Sequence, residues 1–149
     1  MKISSLLKEE LIVSQVDCKS KKSALEIISH VAGEKLNIEP QELFNSLISR
    51  EKIGSTGIGN GVAMPHVKID AALPAMAVFL KCIKPIDYGA IDGKKVDIFL
   101  AFFIPEDQCS KYLVALAECS KRLLDRALLK QLRHSSDSKT LLDLLVSTE

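Results

Sequence analysis

The spacing of apolar residues predicts two amphipathic helices in the first third of the chain. In the first helix, apolar positions recur at intervals of three and four residues, which places them on one face. They are Leu25, Ile28, Ala32 and Leu36. Ser20 or Ser23 is available to cap its first turn. The second helix is predicted to begin at Pro40, a residue that suits a first turn, and to end at Gly54.

The middle of the chain has the pattern of buried strands. A short strand is predicted over residues 61–66 and is interrupted by Pro65. Continuous apolar runs from Ala75 to Ile83 and from Val96 to Ile104 predict two strands that are buried on both faces.

A hairpin is expected to precede the second of these runs. Asp92-Gly93 is a turn dipeptide, and it lies between a short segment at residues 86–91 and the strand that follows. Pro85 cannot donate a hydrogen bond to a neighbouring strand, so we expect it on an edge strand.

The period becomes helical after Pro105. We expect a helix whose inward face carries Leu113, Leu116, Ala117 and Ser120. Two shorter helices are predicted over residues 126–134 and 138–147. Strands bracketed by helices indicate an α/β fold with a mixed parallel and antiparallel sheet, flanked by helices on both faces. We interpret residues 1–149 as a single domain.

Composition narrows the classes of function. Twenty basic and nineteen acidic side chains leave a net charge of +1, which gives no overall case for binding nucleic acid or an anionic membrane. Lys8, Glu9 and Glu10 interrupt the N-terminal apolar segment, and no apolar run reaches the ~20 residues that span a bilayer. We therefore expect a cytoplasmic protein without direct membrane insertion.

The four cysteines give no sign of a metal or redox site. They are widely spaced, and no Cys-x-x-Cys pair or zinc-finger spacing of histidine occurs. We expect reduced thiols that pack as small apolar groups. They are Cys18, Cys82, Cys109 and Cys119.

A glycine-rich segment is the first candidate for chemistry. Glycines at positions 54, 57, 59 and 61 allow backbone N–H groups to turn toward one point, which is how a loop can cradle an oxyanion. No Gly-Lys-Ser/Thr ends the segment, and it leads into a strand and not a helix, so a nucleotide loop is disfavoured. A phosphoryl group is the ligand that we expect this segment to bind.

Polar side chains around this segment complete a candidate site. Ser55, Thr56 and Asn60 are neutral hydrogen-bonding groups, Arg50 is a permanent cation with a bidentate fork, and His66 is the nucleophile of the set. A neutral imidazole can attack with one nitrogen while a carbonyl or carboxylate holds the N–H of the other. The residues alone leave open a histidine that only packs and a glycine loop that only turns.

The stretch "REKIGSTGIGNGVAMPH" resembles the active-site segment of the fructose/mannitol-type IIA proteins of the bacterial phosphotransferase system. "SKKSALEIISHVAGEKL" and "AIDGKKVDIFLAFFIPEDQ" extend the resemblance to the family's nitrogen-regulatory branch. It implies that His66 accepts a phosphoryl group, at Nε2, from a histidine-containing phosphocarrier protein, with Arg50 facing the phosphoryl oxygens. It also implies a pocket shaped by residues 54–61 and transfer without metal, nucleotide or other cofactor.

The resemblance implies that phosphorylation controls regulatory partners, such as transporters or sensor kinases. A sugar-specific IIA component that feeds a permease is the nearest alternative, and a binding regulator that no longer turns over phosphate is a second. A small enzyme acting on a free phosphorylated metabolite is disfavoured because the loop offers no carboxylate as a general acid or base.

Two positions depart from the family pattern. The family usually has a second histidine near the start of the helix after the Ile-Pro segment, where this chain has Tyr112. A phenol can donate one hydrogen bond but supplies no cation, so we expect the transfer rate or the lifetime of phosphohistidine to differ from the family's. Gln108 is a further pocket candidate. Val67 follows His66 where many members have glycine, and we expect it to restrict the approach of a donor protein.

Overall fold

The structure is a computed structural model that describes residues 2–147. Its elements, in chain order, are strand β1 (Ile12–Val16), helices α1 (Lys21–Leu36) and α2 (Pro40–Ile53), strands β2 (Gly57–Gly59), β3 (Val62–Ala63), β4 (His66–Ile69), β5 (Met76–Ile86) and β6 (Val96–Pro105), and helices α3 (Cys109–Leu123), α4 (Arg126–His134) and α5 (Ser138–Val146). Short 3₁₀ turns at residues 3–5 and 9–11 precede β1, and another at 106–108 leads into α3.

Over residues 2–147 the strands form one six-stranded sheet. Their order is β1, β5, β6, β3 and β2, and β4 pairs with β6 beyond the end of β3. β5 and β6 are antiparallel, whereas β1 runs parallel to β5, and β3 and β4 run parallel to β6. The predicted α/β fold with a mixed sheet is confirmed.

β6 is the central strand of the sheet and pairs with β3, β4 and β5. All of its residues are buried except the half-buried Asp97, so neither of its faces meets water. Such a strand requires a layer of helices on each side. α1 packs against α2, and α4 contacts both α3 and α5, which gives the predicted cover on both faces of the sheet.

The first two helices begin and end close to the residues that the sequence indicated. The Ser20 hydroxyl accepts the Ser23 amide, and the Ser23 hydroxyl accepts the Ser20 amide, which forms a reciprocal cap on α1. Pro40 lies in the first turn of α2, and Gly54 follows its last residue. Within residues 2–147 no helix has the length and apolar character needed to cross a membrane.

The connection between β5 and β6 is longer than predicted. Residues 87–95 form a loop, and Asp92-Gly93 makes a local turn within it, in which the Gly93 amide donates to the Ala90 carbonyl at 2.9 Å. The expected hairpin is formed by β5 and β6, but of the segment at residues 86–91 only Ile86 belongs to a strand. The chain leaves the sheet there because Tyr88 enters the core, where its ring meets the Phe99 ring edge-on with centroids 5.3 Å apart.

Pro85 lies in β5, which is an interior strand of the sheet, so the predicted edge strand is wrong. The pairing of β1 with β5 ends at Val16 and Cys82. Beyond Cys82 one side of β5 is uncovered, and Pro85 is exposed there. The pairing of β5 with β6 is also irregular between Lys81 and Ile86, so Pro85 lies in a stretch without a regular ladder on either side.

The segment predicted as a glycine loop followed by one short strand is a hairpin and a separate strand. Asn60 and Gly61 have φ of 55° and 81°, which suits a two-residue turn between β2 and β3. Pro65 then separates β3 from β4, and its carbonyl accepts the Phe102 amide at 2.8 Å. His66 therefore begins β4 and does not end the preceding strand as predicted.

Two further features escaped the pattern. β1 has a register shift between Val13 and Val16, with Gln15 at φ 58°, so its residues do not alternate as a regular strand would. The predicted inward face of α3 is wrong, because Leu113 is 63% exposed whereas Tyr112 is buried. The other three predicted positions are half-buried or exposed: Leu116, Ala117 and Ser120.

All four cysteines are free thiols. The sulfur atoms of Cys18 and Cys82 lie 2.8 Å apart in the core, a contact that their separation in sequence did not reveal. Burial raises the pKa of both thiols, as expected for cysteines that pack as apolar groups.

We predict that Gly57→Ala destabilises the fold, because an added Cβ would lie 2.6 Å from Cβ of Ala90. We expect a loss of about 1–3 kcal/mol, measured as a lower midpoint of urea unfolding with an unchanged slope. The matched control is Gly54→Ala, since an added Cβ there meets nothing within 4 Å. Equal stability of the two variants would contradict the packing assigned to Gly57.

Candidate functional site

His66 is positioned by the break that Pro65 makes in the sheet edge. As the first residue of β4 it pairs with Phe102 of β6, so the buried central strand fixes its backbone. Side chains alternate along a strand, and the half-buried His66 and exposed Lys68 lie on the opposite side from the buried Val67 and Ile69. The imidazole is therefore held at the surface by a buried backbone.

The imidazole ring has a defined orientation. Nδ1 of His66 lies 3.0 Å from the carbonyl oxygen of Met64. A carbonyl oxygen can only accept a hydrogen bond, so this contact places the proton of the neutral ring on Nδ1. The lone pair is then on Nε2, which makes that nitrogen the nucleophilic one.

A groove of about 770 Å³ lies beside this ring, between α2, β4 and α3. It brings Arg50 and His66 together, although sixteen positions separate them in sequence. Its lining residues are Asn45, Ser46, Ser49, Arg50, Ile53, His66, Val67, Lys68, Ile104, Cys109, Leu113 and Leu116. The groove thus combines a nucleophilic nitrogen and two cations with apolar walls.

Arg50 is held in place by the end of its own helix. It lies in the last turn of α2, and its Nη1 donates to the Gly54 carbonyl at 2.9 Å. This is its one hydrogen bond within residues 2–147, which leaves the other N–H groups of the guanidinium available for an anion. Gly54 thereby contributes to the site by orienting Arg50.

A buried polar cluster lies under this corner of the site. The carboxylate of Glu51 accepts the Thr56 amide at 3.0 Å and the Thr56 hydroxyl at 2.5 Å. The Thr56 hydroxyl is 3.0 Å from the Tyr88 hydroxyl, and Nζ of Lys21 is 3.8 Å from Glu51 and 4.4 Å from the centre of the Tyr88 ring. Burial raises the pKa of Tyr88 far above its ordinary range. This cluster connects α1, α2 and the β5–β6 loop.

Sequence reasoning missed three members of this cluster, Glu51, Tyr88 and Lys21. The available signal was weak: Glu51 follows Arg50 directly and therefore lies on a different face of α2. The buried face of α2 otherwise carries Leu43 and Leu47, so a glutamate that shares it requires a partner. That partner is Thr56 of the glycine-rich segment, and the helical pattern alone does not predict that this segment contacts Glu51.

The structure separates the residues predicted to bind phosphate. Gly54 and Ser55 follow α2, and the Ser55 hydroxyl accepts the Gly57 amide at 3.1 Å. Thr56 is buried with its amide on Glu51, and the Asn60 amide donates to Asp92 at 3.0 Å. Three of the predicted N–H donors are therefore already bound within the protein. They belong to Thr56, Gly57 and Asn60.

The far end of the segment lies away from His66. Asn60 and Gly61, which form the hairpin turn, line a different groove, and Gly59 has φ 107° within β2. The glycines at 59 and 61 thus serve the hairpin, and Gly57 serves packing against Ala90. Phosphate binding by this part of the segment stays a prediction.

The two other pocket candidates lie at the start of α3. Tyr112 is 6% exposed and is not among the residues that line the groove. Gln108 immediately precedes α3 and is half-buried. The groove instead receives Cys109, Leu113 and Leu116 from this helix, and sequence reasoning assigned none of them to a site.

Comparison with known proteins identifies the class. The family model for the phosphoenolpyruvate-dependent sugar phosphotransferase system, EIIA 2, matches residues 5–147. The chain therefore belongs to this family of IIA proteins. The crystal structure of IIA mannitol from Escherichia coli has the same fold, with a TM-score of 0.77 at 18% identity over 93% of this chain and 98% of that one.

Individual relatives define the branch more narrowly. The nitrogen regulatory protein of Escherichia coli strain K12 is 41% identical over 150 residues, which covers all of this chain and 92% of that protein. A nitrogen regulatory protein homolog of Haemophilus influenzae is 44% identical over 142 residues, 93% of this chain and 87% of the relative. The nitrogen regulatory protein IIA-Ntr of Neisseria meningitidis has a TM-score of 0.90 at 27% identity, over 96% and 98% of the two chains. The predicted resemblance to the nitrogen-regulatory branch is confirmed.

We predict that Glu51→Ala destabilises the protein by about 3 kcal/mol, because it leaves the buried amide and hydroxyl of Thr56 without their acceptor. Urea unfolding measures the loss. Glu10→Ala is the matched control: it removes a carboxylate whose 2.6 Å pair with Lys35 is exposed, and we expect less than about 1 kcal/mol. A Glu51 variant as stable as the Glu10 variant would show that the cluster does not stabilise the fold.

Proposed function

We propose that the protein is a regulatory phosphocarrier. In this proposal His66 accepts a phosphoryl group from a nitrogen-branch histidine-containing phosphocarrier protein, and its phosphorylation state controls regulatory targets of the transporter or sensor-kinase type. The observation that carries the proposal is the 3.0 Å contact between Nδ1 of His66 and the Met64 carbonyl, in a groove that also contains Arg50.

The proposed transfer uses only groups of the two proteins. The lone pair on Nε2 of His66 forms a bond to phosphorus, and the phosphorus–nitrogen bond to the donor histidine breaks with its electron pair returning to that ring. Nδ1 keeps its proton, which stays hydrogen-bonded to the Met64 carbonyl. The phosphorylated ring therefore initially carries a positive charge, which the carbonyl stabilises. No metal or nucleotide enters the step.

Arg50 stabilises the transferred group in this proposal. The phosphoryl oxygens carry negative charge throughout the transfer, and a guanidinium beside them lowers the energy of the transition state. Its contact with the Gly54 carbonyl limits reorientation of the side chain before the donor arrives. Lys68, on the same side of β4 as His66, adds a second cation at the groove.

The rim of the groove suits a protein donor better than a small molecule. Ile53 is 83% exposed and Leu113 is 63% exposed, and both line the groove beside His66. Exposed apolar side chains around a polar centre are typical of a protein-binding surface. A mannitol IIA with the same fold, 17% identical and with a TM-score of 0.78, was solved in complex with phosphorylated enzyme IIB.

The regulatory branch is preferred to the sugar-specific alternative because of the relatives. The nitrogen regulatory proteins of Escherichia coli and Haemophilus influenzae are 41% and 44% identical over nearly the whole chain, whereas the fructose-specific EIIABC component of Bacillus subtilis is 27% identical and matches over 23% of its own length. The relative rates at which sugar-branch and nitrogen-branch carrier proteins phosphorylate the chain distinguish the two functions. Faster transfer from the sugar-branch carrier would support the alternative.

We predict that His66→Ala abolishes phosphorylation and that Arg50→Ala slows it by about 100-fold, because the second variant keeps the nucleophile but loses the guanidinium. The measurement is labelling by the carrier proteins with phosphoenolpyruvate, with the adduct tested for acid lability and base stability. Arg122→Ala, which removes an exposed arginine of α3, is the matched control and should react as the wild type does.

Labelling of His66→Ala to the wild-type extent would exclude His66 as the acceptor. An Arg50 variant that reacts at the rate of the Arg122 variant would remove the guanidinium from the mechanism. A protein that is never labelled, but whose His66→Ala variant binds partners unchanged, would instead be the binding regulator without turnover.

We also predict that Tyr112→Phe changes the transfer rate by less than about threefold, since the buried phenol does not line the groove. Stopped-flow transfer from the phosphorylated carrier measures the rate. A drop of tenfold or more would place the Tyr112 hydroxyl beside the phosphoryl group, where the family usually has its second histidine.

A further inference from the structure

A second groove, separate from the one at His66, carries a strong positive charge. It has a volume of about 690 Å³, lies between α4, the β2–β3 turn and the start of β6, and shares no lining residue with the first. Its floor includes the apolar side chains of Pro85 and Leu129. Its basic lining residues are Lys94, Lys95, Arg126, Lys130, Arg133 and His134.

The charge of this groove is not balanced locally. Within residues 2–147, five permanent cations line it against one lining carboxylate, Asp97, with Asp92 beside Lys94 at its edge, although the whole chain has a net charge of only +1. Among residues 2–147, Arg133 pairs with Asp97, whereas Lys95, Arg126 and Lys130 make no ion pair. Such a concentration of like charge repels itself and attracts anions.

The cations that α4 contributes to this surface lower the stability of the helix itself. Arg126 and Lys130 are four residues apart, and Arg133 follows three later, so the three cations share one face. Like charges at these spacings destabilise a helix. The apolar packing of α4 comes from the buried Leu128 and Leu132 and does not need these cations. Arg133 lies in the last turn, where the helix dipole favours a cation, and it pairs with Asp97, so local structure accounts for Arg133 but not for Arg126 and Lys130.

The groove is also held in a fixed shape. Nε and Nη2 of Arg133 donate to the two carboxylate oxygens of Asp97, each at 3.0 Å, and Nη2 donates to the Asn60 carbonyl at 2.6 Å. Nζ of Lys81 donates to the carbonyls of Arg133, at 2.8 Å, and of Ser135, which secures the end of α4 to β5. Binding an anion here requires little reorganisation of the backbone.

We propose that this basic groove binds a small ligand with at least two adjacent anionic groups, phosphate or carboxylate. Its volume lies within the range of about 300–1,000 Å³ typical of small-molecule sites. Arg126, Lys130 and Lys95 supply the free donors, and the forked guanidinium matches the oxygens of either group. The glycine-rich segment thus places its Asn60-Gly61 turn at an anion site other than the one at His66.

This site is independent of phosphoryl transfer. Asp97 and Phe102, the partner of His66, are five residues apart on β6, or roughly 16 Å along an extended strand. A ligand in the basic groove therefore does not occupy the donor's surface. The failure of either proposal leaves the other intact.

The test is calorimetric titration with inorganic pyrophosphate and, separately, with citrate, at physiological ionic strength. We expect saturable one-to-one binding of at least one probe, with a dissociation constant below about 1 mM. The amide signals of Gly61, Lys95 and Lys130 should shift in nitrogen-resolved NMR spectra. Tighter binding of pyrophosphate would identify a phosphorylated ligand, and tighter binding of citrate would identify a polycarboxylate.

The variant Arg126→Ala/Lys130→Ala should lower the affinity for the probe that binds by at least about tenfold. Lys121→Ala/Arg122→Ala removes two exposed cations from the neighbouring α3 and should bind as the wild type does, as should His66→Ala. Absence of saturable binding, or equal weakening in both double variants, would overturn the proposal. So would binding of acidic polypeptides or oligonucleotides with neither small probe bound.

Discussion

The hydrogen bond between Nδ1 of His66 and the carbonyl of Met64 is the interaction on which the functional interpretation depends. It fixes which ring nitrogen has the lone pair and which carries the proton. The carbonyl is available because Pro65 interrupts the strand between the two residues, so that β3 and β4 are separate segments beside β6. A backbone irregularity thus determines the chemistry of a side chain.

The buried cluster around Glu51 explains how a cation is brought to this imidazole. Glu51 and Arg50 are adjacent at the end of α2 and therefore point to different sides of the helix. The inward-pointing carboxylate binds Thr56 in the core, and this contact holds the segment after the helix against it. The outward-pointing guanidinium then contacts Gly54 at the groove. Of these two neighbouring residues, Glu51 stabilises the fold and Arg50 forms part of the site.

Local signals in the sequence were sufficient for most of the fold. The Ser20 cap and the first-turn Pro40 depend on neighbouring residues, and they defined the starts of α1 and α2 correctly. The exposed apolar face of α3 could not be predicted, because periodicity identifies an apolar stripe but not whether it packs in the core or at a surface. Leu113 belongs to the second case.

The candidate site was less accessible to sequence reasoning because it depends on pairing between distant segments. His66 and Arg50 could be recognised from residue type, and the structure places both at one groove. The glycines at 59 and 61 have the composition of an anion loop, but the Asn60-Gly61 dipeptide is also the signature of a tight hairpin turn. The hairpin governs their conformation and carries them away from His66.

Long-range proton–nitrogen NMR of the unphosphorylated protein at mildly alkaline pH tests the central claim most directly. The two nitrogens of a neutral imidazole differ in chemical shift according to which one bears the proton. The account predicts that His66 is protonated on Nδ1, with an unprotonated Nε2. A His66 ring protonated mainly on Nε2, or one that exchanges freely between the two forms, would contradict it.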